Sequence, residues 1–133
     1  MKTKVFECID YKFHTVHKQP QHFVEKLSAS ERARFYAASE SLAACFADGC
    51  PPFRSRLVKG AKLHNLFALP VDWPVGSGAG LTLLALRDGK DILLARGLRG
   101  NDGRIPSAET ARAERALAAY LGGKGERKGG KAR

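Results

Sequence analysis

Acidic residues are few in this chain of 133 residues: 13 Asp and Glu stand against 23 Lys and Arg, for a net charge of +10. That imbalance favours polyanionic partners, nucleic acid or an acidic protein surface, without choosing between them. Cysteine is scarce too. The three present, Cys8, Cys45 and Cys50, are odd in number and show no CxxC spacing, which argues against a disulfide framework. The first residues, MKTKVFECID, lack the apolar stretch of a secretory signal. Both absences lead us to expect a reduced, cytoplasmic protein. No apolar run approaches the roughly 20 residues that span a bilayer, so no membrane partner is expected. The length suits one domain, which at this size buries roughly two-thirds of its unfolded surface and needs no disulfide or metal to hold it.

The apolar residues present mark the elements. Val5, Ile9, Tyr11 and Phe13 alternate with polar neighbours and predict one N-terminal strand. A short helix is expected after Pro20, carrying Phe23, Val24 and Leu27. Ser28-Ala-Ser-Glu31 has the form of a capping box and opens a second helix with Phe35, Ala38, Leu42, Cys45 and Phe46 on its apolar side. Asp48-Gly49-Cys50-Pro51-Pro52 ends that helix. The runs from Leu63 to Val71 and from Leu81 to Leu86, and DILLARGL after the Asp88-Gly89 turn, predict a meander of three antiparallel strands. A last helix starts at Ser107 as N-cap, with Glu109 in its first turn and Ala113, Ala116, Leu117 and Tyr120 on one face. The order is strand, two helices, three strands, helix: an α+β domain over residues 1–121. Residues 122–133, GGKGERKGGKAR, are expected to form a mobile basic tail.

Positive charge is concentrated in two places. Between Asp48 and Asp72 there is no acidic residue, while Arg54, Arg56, Lys59, Lys62 and His64 all fall there. Arg96, Arg99 and Arg104 cluster at the end of the last strand, and Arg112 and Arg115 follow on the helix. Brought together, these would make one face suited to a phosphate backbone; apart, they are the solvated charges of a basic protein. Other motifs carry less. Gly76-Ser-Gly-Ala-Gly80 has no Lys-Ser/Thr pair or following helix, so it is expected to be a hairpin loop and not a phosphate cradle. His14 and His17, near Cys8 and His22, sit on an extended segment that would turn them to opposite faces, so no metal is expected. Cys45 with His64 lacks any flanking pattern for a nucleophile and base, and Cys45 is expected in the core.

The stretch DGKDILLARGLRGNDGRIPSAETARAERALAAY resembles the C-terminal signature of the HigB-like, phage-related branch of the RelE toxin superfamily. The matching positions are Asp88-Gly89, Ile92-Leu93-Leu94, Gly97-Leu98-Arg99, Pro106, and Ala111 or Ala113 with Arg115 and Tyr120. LVKG followed by LFALP is similar to the family's second strand. The resemblance covers about residues 1–121 and implies a RelE-like fold, a small antiparallel sheet with two N-terminal helices packed on it. It implies a toxin of a type II toxin-antitoxin pair that cleaves mRNA on the ribosome and is silenced by a cognate antitoxin. Such cleavage proceeds by attack of a 2′-OH on the adjacent phosphate. It needs a base or a field that aids deprotonation, cations for the phosphorane and an acid for the leaving oxygen, but no metal or other cofactor.

Lys59 and Lys62 are the candidates for base or electrostatic activator, Arg96, Arg99 and Arg104 for phosphate clamps, and His64 or Tyr120 for proton donor. Arg54, Arg56, Arg104, Arg112 and Arg115 are expected along the nucleic acid. The chain departs from the family pattern at Ala68-Leu69-Pro70 (for Glu-Leu-Arg), Leu81-Thr82-Leu83 (for Tyr-Arg-Val) and Leu98 (for an aromatic). These departures keep two alternatives open: a non-catalytic RNA- or ribosome-binding relative, and a gyrase-targeting toxin of the ParE kind.

Overall fold

Alternation at the N-terminus builds two strands where the sequence suggests one. In the computed structural model, which describes residues 2–48, 58, 61–63, 65–71, 80–99 and 105–129 (123–129 by backbone alone), β1 is Thr3–Cys8 and β2 is Tyr11–Thr15. They pair antiparallel around Ile9 and Asp10, whose φ angles of 51° and 65° form a two-residue hairpin turn. Asn or Gly usually marks such a turn. Here a β-branched residue, 54% exposed, occupies its first position. Replacing Ile9-Asp10 by Asn-Gly should raise stability by about 1 kcal/mol in urea unfolding, because both residues would then accept the left-handed backbone.

The chain continues through α1 (Lys18–Glu25), α2 (Ala29–Asp48), β3 (Phe67–Pro70), β4 (Leu81–Asp88), β5 (Asp91–Arg99) and α3 (Ser107–Gly129). The capping box forms as expected: Ser28 N–H donates to Glu31 Oε1 at 2.8 Å, and Glu31 N–H donates to Ser28 Oγ at 3.2 Å. The five strands lie in the order β1-β2-β5-β4-β3. The sheet is not purely antiparallel. β2 runs parallel to β5 at its centre, from Lys12 opposite Asp91 to Thr15 opposite Leu94. Between those two strands the chain makes both first helices, β3 and β4, a connection long enough to return in the same direction. Of the described residues of the run Leu63–Val71, only Phe67–Pro70 are strand; before them Leu66 N–H donates to the Leu63 carbonyl.

Helices cover both faces of the sheet. On one side α1 and α2 bury Phe23, Phe35 and Leu42 against Phe13, Phe67, Leu83, Ile92 and Leu94. On the other, α3 sets Ala113 and Leu117 against Leu84, Leu86, Leu93 and Ala95. Double burial explains the nearly unbroken apolar runs of β4 and β5, which a one-sided sheet would interrupt with polar residues. Each large side chain removed from water adds roughly 1.5–3 kcal/mol to the gross stabilisation. Cys45 lies in the first of these cores, as expected. α3 extends to Gly129, eight residues past Leu121, where the sequence suggests that the ordered domain ends.

Candidate functional site

β5 begins with simple alternation. Ile92 and Leu94 face α1 and α2, while Leu93 and Ala95 face α3. The alternation then breaks. Leu84 of β4 opposes Arg96 and the next residue, Ala85, opposes Leu94, so Ala95 is an extra residue without a partner. Such a bulge shifts by one the face to which each later side chain turns. Arg96 therefore joins Ala95 on the α3 side, Gly97 turns to Phe23 of α1, Leu98 returns to the α3-side core, and Arg99 emerges toward α1 and α2.

Opposite Arg96, one flank of α3 carries Arg112, Ala116 and Ala119 at helical spacing, with Arg115 beside them. With His17 these residues line an open-sided pocket of about 360 Å³, floored by Ala95. Glu109, in the first turn of α3, bridges two of the arginines. Arg96 Nε donates to its Oε1 at 2.6 Å and Arg112 to its Oε2 at 3.0 Å. Among the described residues no carboxylate pairs with Arg115. Three guanidiniums thus face one carboxylate. His17 caps α1 by accepting the Gln19 N–H on Nδ1 at 3.4 Å, which places its ring proton on Nε2 as a further donor. The lining offers donors and positive charge, the complement of a phosphate.

The other expected site residues divide. Arg99 is turned away from this pocket: it pairs with Glu31 at 3.3 Å and its guanidinium lies 5.7 Å from the Phe23 ring centre. The expectation that Arg96 and Arg99 clamp one phosphate is therefore corrected: three residues apart on one strand, they turn to opposite faces of the sheet. Glu31 is held below the usual carboxylate range by the Ser28 backbone N–H and then by Arg99. Lys62 is exposed beside Leu63, whose N–H donates to Glu114 at 2.8 Å, on the flank of α3 away from the pocket. Tyr120 packs half-buried against the α3-side core, not into the pocket. Arg87 lies over the rings of Phe46 at 4.5 Å and Tyr11 at 5.2 Å. Lys59, His64, Arg54, Arg56 and Arg104 lie outside the described residues, as do residues 76–79 of the glycine loop.

A second polar group is buried on the same face of the sheet. His14 on β2 is 6% exposed, and its Nε2 lies 3.0 Å from Asp91 Oδ1 at the start of β5; its Nδ1 has no partner among the described residues. Burial pushes the imidazole below its ordinary 6.5, against the opposing pull of the Asp91 hydrogen bond. Asp91 is itself held low. Its own burial pushes upward, but the His14 hydrogen bond and the nearby Lys2 outweigh that. His14 is therefore neutral at pH 7 and donates from Nε2. Because the unfolded chain binds this proton more readily than the folded one, the stability tied to His14 is complete above pH 6.5 and falls as pH drops below it. The urea midpoint should decline between pH 7.5 and 5.5, and His14→Gln should flatten that decline.

His17 in the lining and Glu109, paired with two of its arginines, are the polar residues here that the sequence does not assign to a site. Its pattern presents His17 as a metal-ligand candidate and Glu109 as a helix-dipole partner. For Glu109, the three-residue spacing from Arg112 is the available signal. Compared with family models, curated proteins and solved structures, the chain matches none.

Proposed function

We propose that the protein acts on RNA as the RNA-directed member of a toxin-antitoxin pair of the RelE kind, holding a phosphate of ribosome-bound mRNA in the pocket between β5 and α3. The supporting observation is the convergence of Arg96, Arg112 and Arg115 on one hollow in a protein of net charge +10. Binding is what these residues supply. A guanidinium accepts no proton near neutral pH, and the Nδ1 lone pair of His17 is engaged at the start of α1. The position at which the resembled family carries a strand arginine is Thr82, buried and paired with Leu98.

A second reading is cleavage of the bound RNA, favoured by the position of Arg96. A guanidinium fixed by Glu109 at the pocket wall would stabilise the charge that develops on a phosphorane, with Lys59 as the candidate base and His64 as the candidate proton donor. A cognate antitoxin is the protein partner in both readings.

Two measurements on wild type and Arg96→Ala decide between them. Primer-extension stops that need translating ribosomes and vanish in Arg96→Ala establish cleavage. Salt-sensitive RNA binding without stops establishes binding alone. Absence of both sinks the proposal.

A further inference from the structure

We infer that the pocket selects a phosphomonoester, the terminal phosphate of an RNA end or a nucleotide, over an internal phosphodiester; this rests on the reading that the pocket takes an RNA phosphate. Charge balance is the first reason. With Glu109 bridging Arg96 and Arg112, the described lining keeps an excess of two positive charges. A phosphomonoester carries roughly −1.5 to −2 at pH 7, whereas a diester carries a single charge. One diester would leave part of that excess uncompensated.

Donor count is the second. Among the described residues, Glu109 uses one donor of Arg96 and one of Arg112, leaving their other N–H groups, the whole fork of Arg115 and the Nε2–H of His17. That array can serve the three free oxygens of a terminal phosphate, while a diester presents two. Size is the third. At about 360 Å³ the pocket lies near the lower end of ligand sites and suits a single nucleotide, with the alanine methyls under its sugar or base.

Glu109 then limits the charge of the site. Neutralising it should raise the local charge and strengthen the hold on a near-dianionic terminal phosphate more than on a singly charged diester, and so widen the preference.

The test is fluorescence anisotropy with one short RNA in three forms, 5′-phosphorylated, 3′-phosphorylated and with hydroxyls at both ends, using inorganic phosphate as competitor. One phosphorylated form should bind about tenfold tighter than the hydroxyl form, the effect of one added charge-assisted hydrogen bond, and phosphate should reduce that difference. The form that binds tighter identifies which end is held. Arg115→Ala should abolish the preference while keeping the circular dichroism of the wild type, because Arg115 is exposed and has no carboxylate partner among the described residues. Glu109→Gln should widen the preference, because the added positive charge tightens the phosphorylated form more than the hydroxyl form. Equal affinity of wild type for all three RNAs overturns the selectivity and leaves the RNA-binding reading standing. Failure to bind any of them overturns both.

Discussion

Replacing Arg112 and Arg115 together by alanine is expected to weaken single-stranded RNA binding roughly 10–100-fold at low salt, with the fold retained. The two guanidiniums stand side by side on the pocket flank of α3, and the Arg112 side chain is 48% exposed. Neither contributes to the core that Ala113 and Leu117 make with the sheet, so truncation leaves that packing intact. The stability change should be small. Alanine is the better helix former, and the exposed Arg112–Glu109 pair contributes at most a few tenths of a kcal/mol. The slope of log affinity against log salt should shrink by about 0.7, since both arginines act on the one phosphate held in the pocket. Arg34→Ala is the control, since it removes one positive charge from an exposed position of α2, on the opposite face of the sheet. If Arg34→Ala and the Arg112/Arg115 variant lose affinity equally per charge, binding follows net charge and the pocket has no special role.

Much of this architecture is legible in the sequence, and the failures have definite causes. The capping box at Ser28 and Glu31 forms because both side chains are local to the helix start, where three-residue spacing is enough to predict the hydrogen bonds. α3 begins at Ser107, and α1 carries Pro20 in its first turn, for the same local reasons. The N-terminal hairpin escapes such reading because Ile9-Asp10 carries no turn signal, and the period of two runs straight through it. Parallel pairing of β2 with β5 joins segments nearly 80 residues apart in the chain, which no local pattern reports.

The site departs from expectation in a more instructive way. DILLARGLR predicts one face for Ile92, Leu94 and Arg96 by strict alternation, which would bury Arg96 under α1. The one extra residue at Ala95 moves Arg96 to the pocket side and Arg99 to the α1 side. A bulge is set by how β4 and β5 fit between two helical layers, so the strand's own composition gives no sign of it.

Gly97→Ala is expected to lower stability by about 3 kcal/mol and the melting temperature by about 10 °C. A Cβ on Gly97 would lie 2.2 Å from Phe23 Cγ and 2.5 and 2.6 Å from its two Cδ atoms, so ring or strand must move. Phe23 is 9% exposed within the core, and its helix is tied to the same glycine. Gln19 Nε2 donates to the Gly97 carbonyl at 2.8 Å, and the Gly97 N–H donates to Gln19 Oε1 at 2.7 Å. β2 ends at Thr15, and the Val16 N–H to Leu94 carbonyl bond follows at 3.1 Å, so the Gln19 amide takes over the role of a neighbouring strand at Gly97. Moving the ring away would pull on both hydrogen bonds. Replacing Phe23 by leucine as well should recover part of the loss, because residues in direct contact are coupled. The same displacement reaches the pocket, since Arg96 precedes Gly97 and His17 caps the helix that carries Phe23. Gly97→Ala should therefore weaken RNA binding even where it remains folded, and the leucine double variant should restore it in step with stability. An unchanged urea midpoint for Gly97→Ala would mean that α1 shifts freely over β5, and the pocket wall formed by His17 and Arg96 would lose its claim to be built in advance of its ligand.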